Sequence, residues 1–155
     1  MNKTYAKDGG QAKLDYAKYV EAAVNNDHLY RAVAFGSDSN PEIYKFRGFL
    51  KGLGFETKFS QPIPGREGQP NKYIKPNVNI ALTVMQLIST GKIDKVIIGS
   101  NDIDLIELVL AVKAAGIICE IYACCVPTAL RKVVDNYTEI AKELIYESPS
   151  INTDI

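Results

Sequence analysis

Chemistry in this chain concentrates in one segment, Lys95-Val-Ile-Ile-Gly-Ser-Asn-Asp-Ile-Asp-Leu105. Its apolar half reads as a buried strand, and the strand runs directly into Ser100, Asn101, Asp102 and Asp104. Asp102 and Asp104 therefore fall at a strand's carboxyl end, where the next helix begins. Ser, Asn and Asp are common helix N-caps, and one aspartate there would be read as a cap. Two in the spacing Asp-x-Asp, straight off a strand, suit a second use. Carboxylates gathered at a strand end hold a hard divalent cation and leave positions open for water and phosphate.

The elements that must position this segment alternate along the chain. Apolar residues at 14, 16, 17, 20, 23 and 24 predict an amphipathic helix over 14–24,. Strands are expected near 30–35, 55–59, 95–99 and 117–123. Helices are expected from Pro41 to Leu53, from Val78 to Ile88, and from Ile103 to Ala115, with Gly54, Gly91 and Gly116 ending them,. A last helical segment is predicted from Pro127 to Val134, with helix again from Thr138 to Tyr146. Residues 148–155 read as a flexible tail. Strands alternating with helices imply an α/β fold with a mainly parallel sheet covered on both faces, where chemistry gathers at the carboxyl edge.

Composition narrows the function classes. The chain has 155 residues, 46% of them hydrophobic and 23% charged, enough for one domain with its own core,. No apolar run approaches the ~20 residues of a membrane span, and the first ten residues lack a signal-like apolar stretch, so a soluble, cytoplasmic protein with no membrane partner is expected. Three cysteines, Cys119, Cys124 and Cys125, form no C-x-x-C. With one distant histidine, His28, they read as reduced thiols rather than a zinc cage,.

The charges balance at 18 and 18, but unevenly along the chain. From Lys45 to Lys75 there are seven basic residues and two acidic ones, while from Ile93 onward there are five basic and ten acidic. A basic middle beside an acidic C-terminal half can hold a polyanion next to a carboxylate-bound cation; an ordinary mixed surface is the plainer alternative. The stretch Gln61–Pro76 has four prolines and two glycines and reads as a loop. Its Arg66, Lys72 and Lys75 suit phosphate contacts, and Tyr73 suits stacking on a base. No P-loop and no dinucleotide-binding glycine fingerprint is present.

Ser100-Asn-Asp-Ile-Asp-Leu105 resembles the S-(G/N)-D-x-D-F signature of NYN domains, in the PIN-like nuclease superfamily that includes the LabA-like proteins. Lys75-Pro-Asn-Val-Asn-Ile-Ala-Leu82 resembles the family's K-x-x-V-D-V-x-L helix start. Gly116-Ile-Ile-Cys-Glu-Ile-Tyr122 resembles a later strand, and Thr128-Ala-Leu-Arg-Lys-Val-Val-Asp-Asn-Tyr137 resembles the family's last motif. The resemblance extends over about residues 2–140. It implies a Rossmann-like α/β/α sandwich over residues 1–147 and an Mg²⁺- or Mn²⁺-dependent ribonuclease acting on single-stranded RNA.

By position, Asp102 and Asp104 would be the catalytic and metal-site acids, Asn79 and Asp135 would complete the metal site, and Ser100 would join the nucleic-acid contacts. Two departures stand out. Asn79 replaces the family's usual aspartate and brings no negative charge. Asn2 matches the Asn of an opening D-x-x-N motif whose Asp would precede Met1, so either the chain begins late or it lacks one acid and the first strand. These departures leave a second reading, a catalytically degenerate domain that binds RNA or protein, with a partner protein or a second copy of the chain as its company.

Overall fold

A computed structural model describes residues 12–140 and 145–147, with side chains from 14 to 140. The first strand, β1 (Ala12–Leu14), pairs antiparallel with the last, β7 (Ile145–Glu147). Between them the chain alternates. It runs through α1 (Tyr16–Val24), β2 (Val33–Ser37), α2 (Glu42–Gly52), β3 (Glu56–Ser60), α3 (Asn77–Ser89) and β4 (Lys95–Ile98). A 3₁₀ turn (Ile103–Leu105) leads into α4 (Ile106–Ala114), followed by β5 (Ile118–Ala123), α5 (Thr128–Arg131) and β6 (Asn136–Glu139).

This is an α/β fold with parallel sheets. β2 pairs with β3, from Val33 opposite Glu56 to Ser37 opposite Ser60. β4, β5 and β6 form a second parallel sheet, with Lys95 opposite Ile118 and Glu120 opposite Asn136. Among the described residues no strand bonds the two sheets to each other. Two helices cross from one to the other instead.

On one face, Tyr16 of α1 packs its ring on Phe46 and Phe55 beside β3, at 5.5 and 6.4 Å between centroids. One turn later, Tyr19 donates its hydroxyl to the Tyr122 carbonyl of β5 at 2.6 Å. On the other face, α3 receives a hydrogen bond from Lys58 of β3 at Thr83, 2.9 Å, while Val84 lies in the core over β4 and β5. Helices thus cover the sheets on both sides.

The core lies between α3, α4 and the inner face of β4–β5. Leu105, Leu108, Val109, Val112, Cys119, Ile121 and Leu130 are all buried there. Alternation along β5 separates Cys119, Ile121 and Ala123 on this face from Glu120 and Tyr122 on the α1 face, as period-2 strand geometry requires. Local signals set the element ends. Asp15 caps α1 by accepting from the Lys18 amide at 3.1 Å. Asn40 accepts from the Glu42 and Ile43 amides at 3.0 and 3.2 Å, which starts α2 after Pro41. Gly116 follows α4 with φ +77°, a left-handed position that a side chain would strain,.

Two expectations are corrected. The helix expected over 138–146 is instead strand where the chain is described, β6 before residue 140 and β7 after 144. Tyr137 and Thr138 are strand formers, and β5 offers β6 an open edge whose ladder satisfies the backbone,. The helix expected to begin at Pro127 is only the single turn α5, which ends where the Asp135 amide turns to the Cys119 carbonyl at 2.9 Å. Residues 148–155, read as a tail, and the Asn2 match lie outside the described residues.

Two predictions follow from this packing. Leu130→Ala, at a fully buried site, should cost about 2–5 kcal/mol in urea unfolding, whereas Tyr44→Ala on the exposed side of α2 should stay within about 0.5 kcal/mol,. Burial, helped by Asp135, pushes the Cys119 thiol from its ordinary 9.0 up to about 11, and burial beside Tyr122 raises Tyr19 as well. Both groups hold their protons longer folded than unfolded, so the Cys119 contribution is complete below pH 9 and is lost as pH rises through 11, while the Tyr19 contribution begins to fall only above pH 10,. The urea midpoint should fall over that window, and Cys119→Val should make the fall shallower.

Candidate acidic site at the carboxyl edge

Beyond the end of β4, the chain turns through Gly99, Ser100 and Asn101. Asn101 donates to the Cys124 carbonyl at 2.9 Å, which ties this turn to the one after β5. The Ser100 hydroxyl accepts from the Asp102 amide at 3.2 Å. Asp102 then caps the 3₁₀ turn, its Oδ1 accepting from the Asp104 amide at 2.9 Å. Its Oδ2 accepts from Asn77 Nδ2 at the start of α3, at 3.0 Å. The carboxylate is half-buried and held from two directions. The cap and a cation-binding role are compatible, because each oxygen has a second lone pair.

Asp104 points outward, 61% exposed, and pairs with Lys75 at 3.5 Å. A pair this exposed adds little stability, but it puts the base of the 61–76 loop beside the acids. The loop is more ordered than a plain connection. Ile63 and Lys72 exchange both backbone hydrogen bonds, at 2.8 and 2.9 Å, and the Gln69 amide closes a turn on the Arg66 carbonyl at 2.8 Å. A Cβ on Gly65 would come within 2.4 Å of the Gln69 and Pro70 carbonyls, so glycine alone fits there. Arg66 stands at the tip of this narrow hairpin. Lys72 is in its stem, Tyr73 follows half-exposed, and the Ser37 hydroxyl donates to the Ile74 carbonyl near its foot at 3.4 Å.

The expected four-residue convergence holds only in part. Asp102, Asp104, Lys75 and Ser100 gather at one edge. Asn79 turns toward the other sheet, where its Nδ2 donates to Ser60 Oγ at the end of β3, at 3.0 Å. The α3 residue that touches Asp102 is Asn77, two positions earlier. Asp135 is the clear correction. Its carboxylate accepts from the Cys119 amide near the amino end of β5 at 2.8 Å and faces Lys113 at 3.7 Å. Cys119 stands opposite Val96, so Asp135 lies below the site by on the order of 10 Å of strand and turn. It fastens the crossover into β6.

Sequence reasoning also missed Asp38, just past β2 at the same edge. Arg47 holds it at 3.0 Å and Gln61 donates to it. Nothing in its spacing set it apart from the cap residues around it.

The donors at this edge are hard oxygens, two carboxylates and a hydroxyl, which fit Mg²⁺ or Mn²⁺ carrying much of its shell as water. Among the described residues no three His, Cys, Asp or Glu side chains come close enough to cage a metal. Of the cysteines, Cys119 is buried and Cys125 exposed. Among those residues no helix is long and apolar enough to cross a membrane.

A parallel α/β fold with acids at the strand ends defines a Rossmann-like class of protein. Within that class, a sequence profile of the NYN domain matches residues 1–141, and the chain belongs to that family. No curated protein matches it. The fold is also similar to the crystal structure of a protein of unknown function from Vibrio parahaemolyticus RIMD 2210633, at 23% identity and TM-score 0.73. That alignment covers 87% of this chain and 83% of the other.

Thiol accessibility gives this geometry a direct check. Iodoacetamide at pH 8 should label Cys125 on the folded protein, and label Cys119 only after unfolding, as read by peptide mass spectrometry,. Asp135→Asn should leave any divalent-cation binding unchanged, measured by Mn²⁺ titration.

Proposed function

We propose that this NYN domain hydrolyses phosphodiester bonds in single-stranded RNA, slowly, with Mg²⁺ or Mn²⁺. The observation that carries the reading is the Asp102 carboxylate, fixed by the Asp104 amide and Asn77 at the end of β4, with Asp104 exposed beside it. A fixed carboxylate keeps its lone pairs aimed without reorganising when a ligand arrives. Asp102 and Asp104 would hold the cation, with Ser100 near it and Asn79 approaching from the β3 side. Bound there, the cation would lower the pKa of a water and offset charge on the phosphate. Lys75 would release Asp104 to the cation and move to a phosphate oxygen. Lys72 and Arg66 would follow the strand along the hairpin, with Tyr73 under a base.

Low activity follows from the charge count. Two carboxylates face the cleft, Asn79 adds a neutral oxygen, and Asp135 contributes elsewhere. Like-charged carboxylates repel one another, and a cation relieves that repulsion more strongly as their number grows. The Lys75–Asp104 pair favours the second reading, a domain that binds RNA without cutting it, because one carboxylate is already compensated.

Cleavage of single-stranded RNA with Mn²⁺ and with EDTA tests both. Asp102→Asn should abolish cleavage while leaving the far-ultraviolet circular dichroism unchanged, since Asn still caps a helix. Asn79→Asp should raise cleavage severalfold, because Ser60 can reverse its hydroxyl and donate to the new carboxylate. Cleavage that survives Asp102→Asn overturns the site. RNA retention with no cleavage in the parent or in Asn79→Asp supports the binding domain.

A further inference from the structure

The helices over the β4–β5 core are apolar on more than the face they bury. In α4, Ile106-Glu-Leu-Val-Leu-Ala-Val-Lys-Ala114, the only charged residues are Glu107 and Lys113. Leu108, Val109 and Val112 are buried, yet Leu110 on the far side is 43% exposed, and Ile103, one stretch earlier, is 54% exposed. In α3, Thr83 and Val84 are buried while Val78, Leu82 and Met85 stand out at 62, 57 and 40%. Their spacing of four and three residues places them on one stripe. The two helices pack side by side, and the 3₁₀ turn packs on α3 too, so the stripe, Leu110 and Ile103 share the outer surface of one layer. A helix apolar on all sides is normally covered on all sides.

We propose that this outer face of α3 and α4 is the docking surface for a second copy of this chain. Area argues for it. Counting about 150 Å² for a whole aliphatic residue, the five side chains offer on the order of 400 Å², within the range of the largest patch on a monomer,. A standard interface takes about 800 Å² from each partner, and homodimer interfaces are roughly 65% apolar, about 500 Å² per copy, so the patch supplies most of that apolar area. Charge disfavours an anionic lipid surface. The exposed charges beside the patch are Asp104 and Glu107, with Lys75 compensating only Asp104, so the border is net acidic,. The Lys113 ammonium is turned away to the Val133 carbonyl at 2.7 Å and to Asp135. A two-fold pairing covers the patch on both copies at once.

The position of the seam matters as much as its composition. Val78 stands between Asn77 and Asn79, and Ile103 between Asp102 and Asp104. In each run the apolar residue is exposed, while Asn77 of one and Asp102 of the other bond each other at the carboxyl-edge site. A second copy seated here therefore borders the acidic cleft and narrows the approach to it.

Sedimentation velocity on the full chain at tens of micromolar tests the proposal. The expected mass is twice the 17.1 kDa of one chain. The double variant Leu82→Glu/Leu110→Glu should sediment as a monomer with unchanged circular dichroism. Hydroxyl-radical footprinting of the unmodified protein gives an independent reading: Met85 should be protected at high concentration and labelled on dilution. A monomeric mass throughout, Met85 labelling that ignores concentration, or a dimer that persists in a folded double variant overturns the proposal. So does a monomer that pellets with phosphatidylserine vesicles through this face.

Discussion

The structure depends on how two parallel sheets are held together when, among the described residues, no strand hydrogen-bonds them to each other. Side chains from α1 and α3 carry that task. Tyr16 grips the β2–β3 side through two aromatic contacts, and Tyr19 grips β5 through its hydroxyl. Across the sheets, Thr83 and Asn79 reach β3 while Val84 sits in the core over β4. Ladder hydrogen bonds fix strands to within a fraction of an ångström, whereas these ties act at single points. The geometry between the sheets is therefore set by two helices, and whatever fixes those helices also fixes the site.

That dependence explains where the acids lie. α3 starts at the carboxyl edge because the 61–76 hairpin delivers it there, and its first turn has two jobs. Asn77 bonds Asp102 in one sheet's edge, and Asn79 bonds Ser60 in the other's. An aspartate at position 79 would bring a charge to that bridge but would need Ser60 to donate. An asparagine supplies its own donor. The neutral side chain at position 79 is thus a cross-tie between the sheets, whatever it would bring to a bound cation.

Much of this was legible in the sequence, and the rest failed for identifiable reasons. Helix starts and stops were clear because single residues cause them: Asp15 and Asn40 as caps, and Gly116 at a left-handed position. The buried strands β4 and β5 announced themselves as apolar runs. β6 did not, because Asn136-Tyr-Thr-Glu139 is exposed and gains its strand from the open edge of β5, a tertiary partner invisible in a local window. Asp102 and Asp104 were legible as a pair joined to a strand end. Asp135 was misplaced because a motif position gives no height along the sheet. Only the register, with Cys119 opposite Val96, shows that its carboxylate serves the amino end. Asn77 was passed over because an amide at a helix start reads as a cap until its partner is known.

The bonds already made by the acids bear on what they can do. A carboxylate already accepting two hydrogen bonds binds a cation with less charge to offer, yet with less freedom to lose. Asp102 is in that state, while Asp104 is exposed and balanced by an exposed ammonium. One acid is therefore arranged for position and the other for exchange. Lys75 sits at the foot of the basic hairpin, so a polyanion lying along that hairpin would draw the ammonium toward its own phosphates. Drawing Lys75 away would restore the Asp104 charge as a phosphate arrives. Cation affinity would then rise with occupancy of the hairpin, linking the basic middle of the chain to its acidic second half through a single exposed ion pair.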